Sequence, residues 1–252
     1  MKISALIIAR NEEKKIELCL RCLKFADEIV VILDRSTDGT EKICKSYTSK
    51  VHKGDWEFEG DRRNFGIKKC SNKWILEIDA DELISKQLAS EIKKKIKELS
   101  FDYYYINLVN YINKKPIKFG WMSCLAPNGK FALFKKNSKV WENQRVHPNY
   151  SLQGLKGVEF KNFIDHYMSE NISDLILRFN RNTSLKAKDY ISENRNLDDL
   201  FSFRKVFSRF LKSYINKKGF KNGFLGIIIG ILNGVFPLVT AIKTDYLRNT
   251  KH

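Results

Sequence analysis

Short apolar runs alternate with helical patterns over the first hundred residues. Residues 3–9, 28–33 and 73–78 are mainly apolar, as expected for strands buried on both faces of a sheet. A short strand is predicted near 50–55 and a helix over 61–70. Leu88, Ile92, Ile96 and Leu99 share one stripe, which predicts an amphipathic helix. Strands alternating with helices predict an α/β fold with a mixed, mainly parallel sheet and helices on both faces.

Polar clusters follow three of these strands. They read "RNEE" at 10–13, "DRSTD" at 34–38 and "DADE" at 79–82. Asn11 is expected to cap the next helix, with Glu12 in its first turn. Because ligands of such sheets bind outside the carboxyl ends of the strands, the three clusters are expected to face one crevice.

The remainder of the chain changes character twice. Residues 102–167 carry aromatic and β-branched residues between breakers, which predicts short strands. From about 171 the pattern is helical, and 224–242 contains no charged residue. This stretch could rest on a membrane face, pack as a soluble helix pair or span a bilayer, and we favour the first. Gly226, Gly230 and Gly234 have a spacing that permits close helix packing.

Composition narrows the partners and the compartment. The 252 residues carry a formal net charge of +17, which favours anionic partners: nucleic acid, an acidic membrane surface or phosphorylated ligands. No zinc-finger spacing or RNA-recognition signature is present, so nucleic acid is not expected. Five cysteines, an odd number, favour reduced thiols of the cytoplasm over a disulfide framework. The apolar run at the N-terminus is too short for a signal peptide.

Asp79 and Asp81 stand one residue apart at the end of a predicted strand. Oxygen ligands suit Mg²⁺ and Mn²⁺, and Mg²⁺ is commonly held by one or two carboxylates together with substrate phosphates. Arg62, Arg63 and Lys53 are nearby cations that would help to hold such a phosphate. The pattern therefore predicts a divalent metal beside an anionic ligand.

Several segments closely resemble the family 2 glycosyltransferases. They are "ALIIARNEEKK", "LDRSTDGT", "GDRRNFGIKKCSNKWILEIDADE", "KFALFKK" and "RVH". The branch that they resemble most adds sugars to the lipopolysaccharide core or related surface glycans of bacteria. The resemblance implies a GT-A (Rossmann-like) fold, a nucleotide-diphosphate sugar as donor (a UDP-sugar above all), Mn²⁺ or Mg²⁺ as cofactor, and inversion at the anomeric carbon.

The resemblance also implies roles for individual residues. The donor nucleotide would contact Arg10, Asn11, Glu12, Asp34 or Asp38, Arg62, Arg63, Asn64 and Asp79. The metal would be held by Asp81, with Asp79 and His166 beside it. "LDRSTDGT" lacks the first Gly of the family pattern, which leaves open whether Asp34 or Asp38 reads the base. Many relatives have His-Glu where this chain has His147-Pro148, so the general base stays open among Glu142, His147 and Asp165.

The expected organisation is a GT-A catalytic domain over 1–168 and a basic, apolar helical extension over 169–252. The extension would bind an anionic membrane surface, or else form a homodimer through its helices. The acceptor would be a glycan or glycolipid, and the enzyme would be cytoplasmic, peripheral on the inner face of the membrane. The alternatives are a sugar nucleotidylyltransferase, whose Gly-rich loop is absent from "IIARNEEKK", and a basic nucleic-acid-binding protein.

Overall fold

The computed structural model describes residues 1–250, which form two compact units. The first contains Met1–Val109, Gly129–Gln144 and Pro148–Met168. The second contains Asn110–Asn128, Arg145–His147 and the chain from Ser169 onward. The chain therefore leaves the first unit and returns to it twice before the helices of the second unit begin.

The first unit opens with a parallel half-sheet. Its elements are β1 (Ile3–Ala9), α1 (Ile16–Cys22), β2 (Glu28–Asp34), α2 (Thr40–Lys45), β3 (Val51–Gly54), α3 (Glu59–Lys69) and β4 (Trp74–Asp79). The strands lie in the order β3-β2-β1-β4, and all of these pairs are parallel. The predicted strands at 3–9, 28–33 and 73–78 are confirmed as β1, β2 and β4. Each apolar run is long enough to form a strand that is buried on both faces of the sheet.

The sheet continues with antiparallel strands. The elements are β5 (Glu82–Leu83), α4 (Lys86–Lys95), β6 (Tyr103–Ile112), β7 (Lys115–Ile117), β8 (Gly129–Lys135), β9 (Lys139–Trp141), β10 (Tyr150–Leu152) and β11 (Ile164–Ser169). After β4 the order is β8-β6-β11-β5, β7 pairs with β6, and β9 and β10 form a separate ribbon. The mixed α/β fold is the one that the sequence predicted.

Two apolar cores cover the two faces of the sheet. Side chains of a strand alternate between faces, and β1 accordingly sends Ile3 and Ile7 to one core and Leu6 to the other. The first core includes residues of α1 and α4, and the second includes Ile67 and Cys70 at the end of α3. Helices therefore cover both faces of the sheet. The ends of the strands are left as the place where polar side chains can reach a ligand.

The second unit is built around one long helix. Its elements are α5 (Ile172–Ser192), a 3₁₀ turn (Asp198–Leu200), α6 (Phe203–Leu211), a π turn (Lys212–Asn216), a second 3₁₀ turn (Gly219–Asn222) and α7 (Phe224–Asn249). By length and composition α7 could cross a membrane, and 44% of its most apolar stretch is buried inside the structure.

The small residues of α7 lie at close contacts inside this unit. A Cβ at Gly226 would lie 1.9 Å from the carbonyl oxygen of Gly219, and one at Gly234 would lie 2.8 Å from that of Val206. Between them, the fully buried Asn233 donates from Nδ2 to the carbonyl of Gly120 at 3.0 Å. One face of α7 is therefore a packing face.

Two local predictions are wrong. Asn11 does not cap a helix, because it adopts a left-handed conformation (φ 54°) and α1 begins five residues later at Ile16. Leu99 does not extend the apolar stripe of α4, because that helix ends at Lys95 and Leu99 is 69% exposed. In both places short hydrogen-bonded turns, at 12–16 and at 94–98, stand where the periodicity alone would have allowed regular helix.

Candidate active site

The strand order fixes where a ligand can enter the first unit. From β1 the chain proceeds outward to β2 and β3, and it then returns to place β4 on the other side of β1. This reversal makes the gap between β1 and β4 a topological switch point, where sheets of this kind bind ligands. The loop at 10–15 follows β1, and the segment at 80–81 follows β4, so both border this gap.

A cluster of carboxylates and cations lies at the end of β4. Asp79 accepts from Arg63 Nη2 through Oδ1 at 3.1 Å and from Lys130 Nζ through Oδ2 at 3.3 Å. Lys130 also donates to Glu82 Oε2 at 2.5 Å, and that oxygen accepts from the backbone N–H of Asp79 at 2.9 Å. Burial alone would raise the pKa of Asp79, but the cations of Arg63 and Lys130 hold this pKa far below its usual range. Burial raises the pKa of Glu82 despite Lys130.

Asp81 lies beside His166 in the same unit. His166 Nε2 is 3.5 Å from Asp81 Oδ2, and the two side chains are only 7% and 8% exposed. The backbone fixes this pair, because Tyr167 N–H donates to the carbonyl of Asp81 at 2.8 Å and His166 stands opposite Glu82 in the β5–β11 ladder. Strand pairing thus joins two residues that are 85 positions apart in the chain.

The donor set near Asp81 suits a cation held partly by a substrate. Residues 1–250 contain no group of three His, Cys, Asp or Glu side chains that could hold a metal ion without other ligands. A carboxylate and an imidazole are nevertheless both accepted by Mn²⁺, and Mg²⁺ in particular is normally held by one or two carboxylates together with waters and phosphates. The residues therefore fit a divalent ion whose remaining ligands come from a phosphorylated substrate.

A buried ionic chain supports the cluster from below. Arg63 donates to Glu77 at 2.6 Å and to Glu59 at 2.6 Å, in addition to Asp79. Glu77 also accepts from Lys139 at 3.0 Å, and both of these side chains are 1% exposed. Burial lowers the pKa of Lys139 to about 8, although Glu77 acts in the opposite direction. Three carboxylates surround Arg63 and neutralise its charge inside the protein. The main effect of Arg63 is therefore to orient Asp79.

Asp34 forms a second ionic group at the end of β2. Its side chain is 2% exposed, and it accepts from Arg35 Nε at 2.9 Å and from Arg62 Nη1 at 2.8 Å. Arg35 adopts a left-handed backbone conformation (φ 52°), which directs the chain away from the strand. This group joins β2 to α3 directly and places two cations around one carboxylate.

The loops after β1 and β2 are hydrogen-bonded to each other. Asn11 Oδ1 accepts from the N–H of Thr37 at 2.8 Å, and the N–H of Glu12 donates to Thr40 Oγ1 at 2.8 Å. Asp38 accepts from the N–H of Thr40 at 3.1 Å, so it satisfies the start of α2. Arg10 is exposed at the end of β1. The predicted nucleotide-binding residues are therefore brought together, and several of them fix loop geometry.

Asn64 and Gly60 dock α3 against β9. Asn64 Nδ2 donates to the carbonyl of Trp141 at 2.8 Å, and Trp141 N–H donates back to Asn64 Oδ1 at 3.0 Å. A Cβ at Gly60 would lie 1.9 Å from the carbonyl oxygen of Glu142, so only glycine allows this approach. The amide of Asn64 is thus engaged in holding the helix that carries Arg62 and Arg63.

The three candidates for a general base lie in different surroundings. Glu142 is exposed just after β9. Asp165 immediately precedes His166 on β11, so the two side chains point to opposite faces of that strand. His147 belongs to the second unit, where its Nε2 lies 3.3 Å from Nδ2 of Asn182. The base thus stays open among these three.

Sequence reasoning did not assign a role to Lys130, Glu77 or Lys139. Lys130 is 48 residues from Glu82 and 51 from Asp79, and Lys139 is 62 residues from Glu77. A charged residue in an otherwise apolar strand was the available signal, since "WILEI" contains Glu77 and "GKFALF" contains Lys130. The antiparallel pairing of β8 with β4 brings Lys130 to the end of β4, while Lys139 comes from β9 in the separate ribbon.

Comparison with known proteins identifies the family. The family model described as Glycosyl transferase family 2 matches residues 4–149, which is more than half of the chain. The chain belongs to the family 2 glycosyltransferases. The enzyme is therefore a glycosyltransferase, and neither alternative considered from the sequence is needed.

Relatives extend the similarity of this glycosyltransferase beyond the matched segment. An uncharacterized glycosyltransferase of Rickettsia bellii is 30% identical over 90% of this chain and 80% of its own length. The lipopolysaccharide core biosynthesis glycosyltransferase LpsC of Rhizobium meliloti is 23% identical over 96% of this chain and 92% of its own length. Among solved structures, S. aureus TarS 1-349 in complex with UDP aligns with a TM-score of 0.49 and 16% identity, over 99% of this chain and 92% of that one. The family assignment rests on the family model and the relatives.

Proposed function

We propose that this glycosyltransferase moves a sugar from a nucleotide-diphosphate sugar, UDP-linked above all, to a hydroxyl group of a lipopolysaccharide-core or lipid-linked surface-glycan acceptor. The observation that carries the proposal is the buried pair Asp81 and His166, 3.5 Å apart at the switch point of the sheet. The chain also matches a relative named for lipopolysaccharide core biosynthesis over nearly its whole length.

The donor nucleotide would bind along the joined loops after β1 and β2. Asp34 is the first candidate for contact with the base or ribose, although its carboxylate is 2% exposed and already accepts from Arg35 and Arg62. Asp38 is the second candidate, although its carboxylate already accepts from two backbone N–H groups. Asp79 would lie beside the ribose, oriented by Arg63 and Lys130.

Asp81 and His166 would hold Mn²⁺ or Mg²⁺, with Asp79 close by. When bound, the ion supplies positive charge to the diphosphate leaving group. Lys130 would add a cation on the same side of the cluster. These residues thus balance the negative charge of the departing nucleoside diphosphate before the reaction begins.

The reaction that we propose is a single displacement with inversion. One of Glu142, His147 and Asp165 would take the proton from the acceptor hydroxyl as that oxygen attacks the anomeric carbon. NMR of the product formed from an α-linked donor should show a β-linkage. An α-linked product would contradict the proposed mechanism.

We further propose that residues 1–168 form the catalytic domain, although 110–128 and 145–147 pack in the second unit, and that the helical extension from 169 keeps the enzyme at its acceptor. Lipid-linked acceptors require work at a membrane, so the location would be cytoplasmic and peripheral on the inner face. A homodimer through the C-terminal helices is the competing role for the extension. The two roles differ in whether the exposed apolar side chains meet lipid or protein.

Release of nucleoside diphosphate from a panel of nucleotide-sugars with Mn²⁺ tests the donor and the metal together. Asp81→Asn keeps the shape of the side chain but removes a charged ligand, so turnover should fall by about 100-fold or more. Asp199→Asn is the matched control, because Asp199 is 91% exposed in the second unit, and it should leave turnover unchanged. Full activity of Asp81→Asn, or of the wild type in EDTA, would remove the metal from the mechanism.

A further inference from the structure

A long segment of the second unit carries positive charge alone. Between Asp199 and Asp245 the sequence contains no acidic residue. The basic residues in this interval are Arg204, Lys205, Arg209, Lys212, Lys217, Lys218, Lys221 and Lys243. Such a segment attracts anionic surfaces and has no internal carboxylates to neutralise it.

Large aromatic side chains of the same segment are exposed. Phe203 is 83% exposed and Phe207 is 61% exposed, and their spacing of four residues makes them neighbours on α6. Phe220 and Phe224, around the start of α7, are 49% and 88% exposed. Single exposed apolar residues are common on proteins, but a series of phenylalanines between lysines is the composition of an interfacial membrane helix.

One face of the apolar helix α7 is packed inside the second unit. Phe210 of α6 lies 3.0 Å from the position that a Cβ would take at Gly230, and Asn233 is fully buried. Asn233 Nδ2 also donates to Ser213 Oγ at 3.0 Å. A helix with this packing face does not have an all-round lipid surface. The exposed apolar side chains in the body of α7, Ile231 and Ile242, lie far apart along the helix, whereas those of α6 and the following turns lie among the basic residues.

The chemistry beside α6 suits a phospholipid. A cleft with a volume of about 270 Å³ is lined by Lys205 and Arg209 together with the apolar Val206, Pro237 and Leu238. Arg209 is oriented there by a 3.0 Å hydrogen bond from Nε to the carbonyl of Asn233. Cations beside apolar side chains match a phosphate head group with an acyl chain below it.

We propose that α6 and the turns up to Phe224 form the membrane-docking surface of this enzyme, and that its partner is the head-group layer of an anionic phospholipid bilayer. Phe203, Phe207, Phe220 and Phe224 enter the layer, while the surrounding lysines and arginines contact lipid phosphates. The inference deepens the membrane location proposed above and relies on that proposal only for its biological meaning. It assigns docking to α6, the turns and the first residue of α7, Phe224, instead of the rest of the apolar stretch at 225–242.

Vesicle sedimentation of the full-length protein tests this surface. The wild type should bind vesicles with about one third phosphatidylglycerol in phosphatidylcholine, and binding should weaken without vanishing as NaCl rises from about 0.05 to 0.5 M. Phe203→Ser combined with Phe207→Ser should reduce binding by about tenfold or more, because two large apolar side chains no longer enter the lipid.

A matched double variant controls for the loss of exposed apolar residues in general. Leu155 and Val158 of the first unit are 63% and 62% exposed, and their replacement by Ser should leave vesicle binding unchanged. Donor hydrolysis should be unchanged in both double variants. Vesicle binding without donor hydrolysis in the wild type would contradict the proposed function and leave this surface supported.

Two results would overturn the inference. One is a wild-type protein that does not bind the phosphatidylglycerol vesicles at low salt, or that binds equally well after the phenylalanine replacements. The other is a protein that does not bind vesicles but forms a dimer without lipid in sedimentation velocity, where the Phe203→Ser and Phe207→Ser changes dissociate the dimer. That second result would assign the aromatic face to a second copy of the chain.

Discussion

Replacing Glu28 with Gln should weaken the first unit in a pH-dependent way. Glu28 begins β2, at the end of the sheet opposite the candidate active site, and its side chain is 7% exposed. It accepts from Ser4 Oγ, from Lys50 Nζ and, at 2.8 Å, from the N–H of Ser71. One carboxylate thus joins β1 to the segments that precede β3 and β4.

The magnitude follows from the pKa of this carboxyl group. Burial acts to raise it, but the hydrogen bonds from Lys50, Ser4 and Ser71 lower the pKa of Glu28 from 4.5 to about 2. A shift of this size corresponds to at most about 3.4 kcal/mol of the free energy of unfolding at neutral pH. Because Lys50 is 45% exposed and water screens the pair, we expect about 1–2 kcal/mol.

The sign is fixed by the lowered folded-state pKa. The ionised Glu28 stabilises the folded protein fully above the unfolded-state pKa of about 4.5, and this contribution is lost as the pH falls toward 2. At pH 3 roughly 40% of it should remain. The wild type and Glu28→Gln should therefore differ most at pH 7 and converge in acid.

Urea unfolding at pH 7, 5, 4 and 3 measures this difference. Trp56, Trp74 and Trp141 lie in the first unit, so tryptophan fluorescence reports mainly on the unit that contains Glu28. Glu17→Gln is the control, because Glu17 is paired with Arg21 on an exposed helix face and should show no resolvable change. A gap between wild type and Glu28→Gln that stays constant from pH 7 to 3 would refute the reasoning.

Two further substitutions test the support of the site. Gly60→Ala should destabilise the first unit by about 1–3 kcal/mol and weaken donor binding, because α3 must move away from the carbonyl of Glu142. A thermal shift measures the first effect and a donor titration the second. Unchanged values in both measurements would contradict this expectation. Lys139→Met should cost about 2–4 kcal/mol in urea unfolding, because Glu77 loses a buried cation but keeps Arg63. Equal stability of the Met variant and the wild type would show that this ion pair does not contribute.

Sequence patterns predicted the first half of the fold well and the ionic site only in part. The strands β1, β2 and β4 are long apolar runs, and burial on both faces leaves few other arrangements for them. The "DADE" cluster was also correctly placed at a strand end. The partners of Asp79 were not predictable, since Lys130 lies 51 residues away and reaches it only through antiparallel pairing.

The apolar stretch at 224–242 shows a different limit of the sequence. A membrane-facing helix and a helix packed inside a helical unit have the same length and hydropathy, so composition could not separate them. The spacing of Gly226, Gly230 and Gly234 was the better indicator, because all three lie at close contacts. The charge of the preceding helix can be read from the sequence, but the exposure of Phe203 and Phe207 required the structure.

The interrupted course of the chain through its two units has a consequence for synthesis on the ribosome. Residues 110–128 belong to the second unit, and within it the carbonyl of Gly120 accepts from Ser213 and Asn233, which follow 93 and 113 residues later. The nascent chain must therefore expose this segment, without these partners, while about a hundred further residues are translated. At an elongation rate of about 5–20 residues per second, this interval lasts roughly 5 to 20 seconds. During this interval chaperones can bind the segment before α7 packs against it.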